Sequence, residues 1–343
     1  MVKVGIIGIG FMGVTHFKAL QQVKGARVTA ISTRDPKKLN GDWRSIKGNF
    51  GDAGGQQDLA GIARYAEIDD LLADPNIDLV NICLPTHLHR AITIQALQTG
   101  KHVLVEKPIA LTLKDADAMI AAATKAKRLL MVGQVLRFFP AFAEAHALVQ
   151  SGKYGALRGA HLKRIISTPR WAADDHFEDI SKSGGPALDL HIHDTDFVHY
   201  VAGVPQRVQS TGVVAKNGAI TYLQTQYLYA GGGPCITCQS GAIATPSLMF
   251  EHGYDIYLEK ATLQYNNLFT GDDIWLYPEK GQKRVLRPRR KEAFVAQLQH
   301  ATECVAANRE SDIIAAPLAR QALAVCLQEQ KSVLTGKAVN IKS

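Results

Sequence analysis

The 343 residues include five cysteines, Cys83, Cys235, Cys238, Cys304 and Cys326, an odd and scattered set. Such a set excludes a disulfide framework and suits a reducing, cytoplasmic compartment. Cys235-x-x-Cys238 has no second pair. In an alternating strand its two side chains would point to opposite faces, so it reads as structural. No apolar run reaches the roughly eighteen residues that a membrane-spanning helix needs. The apolar N-terminus carries glycines and leads straight into a periodic helix, which reads as a buried strand rather than a signal peptide. There is no helix-turn-helix signature and no basic aromatic platform, so nucleic acid is not an expected partner. The net charge of +8 is spread along the chain, and an anionic cofactor or substrate accounts for part of it.

What is present is ample core-forming material, 46% hydrophobic against 20% charged residues, as in a soluble globular protein. The length exceeds what one hydrophobic core organises, so two domains are expected. Val2 to Gly8 is rich in β-branched residues and reads as a buried strand. It runs into Gly8-Ile-Gly10-Phe11-Met12-Gly13, a helix to about Gln22 and a second strand, Arg27 to Ser32. Strand, Gly-x-Gly-x-x-Gly, helix and strand within about thirty residues is the dinucleotide-binding arrangement. Gly8 permits the tight turn, Gly10 lets the backbone approach a pyrophosphate, and Gly13 lets helix and strand pack closely. The helix N-terminus offers unbonded N–H groups to the phosphates.

The tip of the second strand reads Ser32-Thr33-Arg34-Asp35. An acid there holds the ribose of NAD, whereas a guanidinium forks onto a 2′-phosphate. Thr33 and Arg34 lean toward NADP; Asp35 keeps NAD open if the turn is one residue longer. Asn40 to Leu59 is a polar, glycine-rich insertion, either a loop over the adenosine or part of an interface. Beyond it, β-α units alternate as far as Gly133, which predicts a parallel, doubly wound sheet with ligands beyond the carboxyl ends of its strands. Two such ends are chemically loaded. Leu84-Pro85-Thr86-His87-Leu88-His89 places Leu84, Pro85 and His89 on the cofactor side, and Glu106-Lys107-Pro108 does the same for Glu106 and Lys107. Pro108 restricts Lys107 to extended backbone and aims its side chain, which suits polarising a hydroxyl or carbonyl oxygen.

Gly184 to Tyr200 reads as one helix opened by Gly-Gly-Pro, with Pro186 in the first turn. Asp189, His193 and Asp196 then share one face, beside an apolar stripe of Leu190, Phe197 and Val201. Carboxylates and an imidazole at the margin of a buried stripe are costly unless used. A solvated polar face is the plain alternative. His191-x-His193 with Asp194 also has metal-ligand chemistry, but on a helix the two imidazoles lie about 200° apart, so no metal is expected.

Taken together, Gly8-x-Gly10-x-x-Gly13, Glu106-Lys107-Pro108 and Gly184-Gly185 followed by Asp189-x-x-x-His193-x-x-Asp196 resemble the Gfo/Idh/MocA oxidoreductases over the whole chain. The resemblance implies an N-terminal Rossmann domain (1–133) and a C-terminal α/β domain (134–343) whose large, mostly antiparallel sheet mediates homodimers or homotetramers. It implies NAD(P)-dependent oxidation or reduction of a sugar, inositol or related polyol. It puts the family's lysine on Lys107, the acid/base histidine on His193, its supporting aspartate on Asp189 and a sugar-lining position on Asp196. It also implies a cis Lys107–Pro108 bond. Arg137, after the last strand of the first domain, is expected against cofactor or substrate. The loop 168–182, with Trp171 and His176, is expected to be a sugar-stacking lid. Redox-neutral glycoside cleavage and a non-catalytic sugar or nucleotide sensor remain the rival functions.

Overall fold

Short apolar runs bounded by glycine, proline and polar turns build the first sheet, and their burial on both faces makes the strands parallel. The computed structural model describes residues 1–48, 54–168, 179–288 and 291–341. The chain divides into two units. The first begins with β1 (Val2–Ile7), α1 (Phe11–Leu20), β2 (Ala26–Ser32), α2 (Pro36–Leu39), β3 (Ala63–Tyr65) and α3 (Ile68–Ala73). It continues with β4 (Leu79–Ile82), α4 (Thr86–Gln98), β5 (His102–Glu106), α5 (Leu113–Ala126) and β6 (Leu130–Gly133). Its strands pair in the order β3-β2-β1-β4-β5-β6, all in parallel. The order reverses at β1, so the crevice at the carboxyl ends of β1 and β4 is the switch point where such sheets bind ligands. Val4, Ile6, Ile7, Val80, Ile82, Leu104 and Val105 fill the core beneath it.

The 40–59 insertion is a packed excursion at its described ends. Trp43 is fully buried, meets the Phe17 ring edge-on at 4.8 Å and donates its indole N–H to the Lys38 carbonyl at 2.8 Å. Asp42 bridges to Gln56, and Gln57 N–H donates to Gly41.

The second unit carries a nine-stranded sheet of β7 (Leu157–Ser167), β8 (Arg207–Val214), β9 (Ile220–Leu228), β10 (Cys235–Ala244), β11 (Glu251–Leu258), β12 (Ala261–Asn266), β13 (Ile274–Pro278), β14 (Arg284–Leu286) and β15 (Val339–Asn340). The order is β14-β13-β12-β11-β7-β10-β9-β8-β15, antiparallel except for the parallel β7/β10 pair. One face is apolar, with Leu162, Ile236, Tyr254, Ile256 and Leu263 buried against α6 (Pro140–Gln150) and α9 (Ile192–Ala202) through Phe142 and Phe197. Between β7 and α9 lie the one-turn helices α7 (Ile180–Ser183) and α8 (Pro186–Asp189). Cys235 is exposed and Cys238 buried, as strand alternation requires. After the second sheet come α10 (Ala293–Ala307) and α11 (Ala316–Thr335); α10 packs on α1 in the first unit. No helix among the described residues is long and apolar enough to cross a membrane.

Gly184 to Tyr200 is not the single helix that the spacing predicts. Gly184 and Gly185 both take left-handed backbone (φ 78° and 70°), Pro186 opens α8, and the bonding pattern breaks at Leu190 and His191 before α9 begins. The His191 N–H bonds back to the Pro186 carbonyl, and His193 N–H to Leu190, so the ladder changes step there. Asp189 and His193 therefore stand on two helices rather than on one face.

Candidate active site

In the first unit the glycine loop joins β1 to α1. Gly8 has φ 93°, and a Cβ there would strike the Cys83 carbonyl. A Cβ on Gly13 would overlap the Gly8 carbonyl, whereas nothing lies within 4 Å of one on Gly10. The turn is thus closed beneath by backbone and open at the glycine that faces a ligand. Phe11 and Met12 begin α1, whose Gly10 N-cap supplies no side-chain cap, a helix N-terminus that fits a pyrophosphate.

Leu84 and Pro85 follow β4 directly, while the two strand-end segments fold back on one another through His89. His89 is fully buried, with its ring nitrogens 2.8 Å from the Leu84 carbonyl and 2.9 Å from that of Pro108. Burial holds its pKa below the ordinary value. Expected on the cofactor side, it turns inward and ties the β4 end to the β5 end. The Lys107–Pro108 peptide is cis, and Lys107 is partly exposed. Glu106 also turns inward: its carboxylate lies 3.2 Å from His16 Nε2, on α1. His16 meets Asn81 on its other nitrogen at 2.8 Å. Burial alone would depress His16, but the Cys83 sulfur and the Glu106 carboxylate reverse that and raise it well above the usual histidine range. His16 leaves no signal in the sequence, since a lone histidine on an apolar helix face reads as core.

At the end of β2, Asp35 caps α2, accepting from the Lys37 and Lys38 N–H groups at 2.9 and 3.4 Å. Its carboxylate is therefore engaged locally. Arg34 is exposed, and Thr33 Oγ1 accepts from Asp35 N–H.

In the second unit the polar residues around α9 sort into two sets. Asp194 is fully buried and accepts from Nε and Nη2 of Arg164 (β7) at 2.8 and 3.0 Å. Asp196, expected to line a sugar site, is fully buried too and takes the fork of Arg137 at 2.8 and 2.7 Å. Arg137 was expected against a ligand; it is instead buried, with its guanidinium over the Tyr200 ring, 4.4 Å from its centroid. The physical reason is shared, since a carboxylate inside the core needs a bidentate partner. His191 is buried against Ser240 and lies 3.2 Å from Glu329 on α11, which in turn accepts from Thr195 at 2.8 Å. His191, Asp194 and Cys238 lie within 4.8 Å of one another, but the Arg164 fork already neutralises Asp194. Asp189 and His193 are partly exposed, as are His199 and Tyr200 at the far end of α9. Trp171, His176 and most of the expected lid lie outside the described residues.

The His191–Glu329 pair makes a pH prediction. Burial lowers His191 and raises Glu329, and each is reversed by the other's charge, so His191 sits above 6.5 and Glu329 below 4.5. A raised histidine gives stability that is full below 6.5 and lost as pH climbs through its folded value. A depressed glutamate gives stability that is full above 4.5 and lost as pH falls through its folded value. The melting-temperature gap between wild type and Glu329→Gln is therefore expected to be widest between about pH 4.5 and 6.5 and to narrow above that. A gap constant from pH 5.5 to 9 would refute the pairing.

Comparison with known proteins now decides the family. Residues 2–134 match the model described as an oxidoreductase family with an NAD-binding Rossmann fold, and residues 142–264 match the Gfo/Idh/MocA C-terminal domain. The chain belongs to the Gfo/Idh/MocA family. Among family relatives, it is 33% identical over 201 residues to a myo-inositol 2-dehydrogenase of Thermotoga maritima, an alignment covering 59% of this chain and only 55% of that enzyme. It is 27% identical over 325 residues to a scyllo-inositol 2-dehydrogenase (NAD(+)) of Bacillus subtilis, covering 89% of this chain and 86% of that one. The structure of a levoglucosan dehydrogenase in complex with NADH and levoglucosan matches over 100% of both chains with a TM-score of 0.85 at 19% identity, which is a likeness of fold.

Proposed function

We propose that this Gfo/Idh/MocA chain transfers a hydride between a nicotinamide cofactor and a secondary alcohol or ketone of a sugar, inositol or related polyol. The observation that carries the reading is the sorting around α9: His191, Asp194 and Asp196 are consumed in buried pairs, while Asp189 and His193 are left partly exposed. Three costly buried networks surround the histidine that the resemblance assigns to acid/base work. The relatives named for inositol oxidation support the substrate class. When bound, the nicotinamide supplies the hydride acceptor or donor. His193 takes or returns the hydroxyl proton, since imidazole titrates near working pH. Asp189 orients or charge-stabilises that imidazole, and the Lys107 ammonium binds the substrate oxygen and stabilises alkoxide character. The test is a panel of sugars and inositols offered with NAD and with NADP, read at the reduced-nicotinamide absorbance. No turnover on any polyol, with dinucleotide bound, would favour the sensor instead.

For the cofactor, NADP is the preferred reading. Asp35 is spent on capping α2, and Arg34, Lys37 and Lys38 surround the β2 tip with positive charge. A fork from Arg34 onto a 2′-phosphate is worth about 1.5–3 kcal/mol as a charged hydrogen bond. Arg34→Asp is expected to move the NADP/NAD ratio of kcat/KM on the order of tenfold or more toward NAD; an unchanged ratio removes Arg34 from cofactor choice. The other face of the nine-stranded sheet, with Tyr257 and Val213 exposed, is the surface on which a second copy docks in a homodimer or homotetramer. Five free thiols fit a cytoplasmic setting.

A further inference from the structure

Among its described residues, the 40–59 excursion reaches the start of α1 at Gly48. Gly48 lies against the Phe11 ring, so closely that a Cβ on Gly48 would overlap three ring atoms. Phe11 is the first residue of α1, next to Gly10, and the space over Gly10 is open. The strand of chain bearing Gly48 is itself held. Trp43 is fully buried on Phe17, Ile46 N–H donates to the Trp43 carbonyl at 3.0 Å, and a Cβ on Gly54 would overlap that same carbonyl. A Cβ at either glycine thus forces a neighbour to move, the Phe11 ring at position 48 and the Trp43 backbone at position 54, and both neighbours are aromatic residues.

We infer that the described arm of the excursion, residues 40–48, is a brace for the dinucleotide pocket, with Gly48 as a positioning residue that sets the Phe11 ring at the edge of the pyrophosphate space. This rests on the dinucleotide reading of Gly8 to Gly13. A side chain at position 48 must push the Phe11 ring off its seat. Phe11 immediately follows Gly10 at the start of α1, so a ring displaced toward the glycine loop would narrow the cradle. The residue then controls cofactor affinity without touching cofactor or substrate.

The experiment is titration of the full-length protein with NADPH and NADH, followed by nicotinamide fluorescence, with melting temperature measured alongside. Gly48→Ala and Gly48→Val are expected to weaken dinucleotide binding roughly tenfold and up to a hundredfold, about 1.4–2.7 kcal/mol, valine more than alanine. Apparent KM for the dinucleotide rises, with kcat at saturation near wild type. Phe11→Ala removes the ring that is displaced, so the Phe11→Ala/Gly48→Val double variant should bind within about threefold of Phe11→Ala alone, a coupling expected only of residues in contact. If Gly48→Val binds as tightly as wild type, or if the double variant loses affinity additively, the brace is overturned. Loss of melting temperature without loss of affinity overturns it as well. A wild-type chain that binds neither dinucleotide would sink the functional reading itself, an outcome distinct from these.

Discussion

His193→Ala is expected to lower turnover by on the order of 10²–10⁴, with dinucleotide affinity unchanged, because it removes the group proposed to move the hydroxyl proton. Lys107→Ala should lose a comparable factor through a different term. Its ammonium meets charge as it develops on the substrate oxygen, an interaction stronger in the transition state than in the ground state. The pH profile separates the two. Loss of His193 should remove the limb that reports the acid/base group, whereas loss of Lys107 should lower the rate while leaving that limb in place. If both residues serve one oxygen, the double variant falls well short of the product of the single losses. Near-wild-type turnover in both single variants would leave the Gfo/Idh/MocA fold in place and remove the chemistry assigned to it.

The Rossmann half was legible because its strands are buried on both faces and read as continuous apolar runs, each closed by a turn. The glycine loop was legible because each glycine answers a separate steric demand, and Gly8, Gly10 and Gly13 show those demands as closed, open and closed. The short strands β12 to β14 run over only three to six positions, and only β12 alternates apolar and polar residues, so their pairing is set by neighbours. The break at Leu190 and His191 escaped notice because both keep right-handed dihedrals; only the hydrogen bonds change. Asp196 looked like a site residue because sequence shows a carboxylate on a helix face but not the arginine that claims it, 59 positions earlier. Asp194 and Arg164 are 30 apart, and His16 and Asn81 are 65 apart. Partners at such separations leave no local spacing to read. Trp43 was the missed local signal: one large apolar residue in a polar, glycine-rich stretch marks where that stretch is anchored.

Arg137→Met is expected to destabilise the second unit by about 3–5 kcal/mol, since it leaves Asp196 ionised and unpaired in the core. Total stabilities are about 5–15 kcal/mol, so a loss of this size approaches unfolding. The pair is buried on both sides, 1% and 0% exposed, and bidentate; an exposed pair would contribute about 0–1 kcal/mol. Arg137→Lys should recover only part of the loss, because an ammonium cannot make two parallel bonds to one carboxylate. Arg137→Met with Asp196→Leu should be much milder than Arg137→Met alone, since replacing both charges with apolar groups removes the unpaired ion. Denaturant midpoints measure all three; a single-variant cost under about 1 kcal/mol would show that water reaches the carboxylate. His193 immediately precedes Asp194 and stands three residues before Asp196 on α9, and each of those carboxylates is held in an arginine fork, so variants that fold should also lose turnover beyond their loss of folded population. A lower kcat with unchanged dinucleotide affinity in folded Arg137→Lys would mark the fork as positioning His193 rather than merely holding α9 in the core.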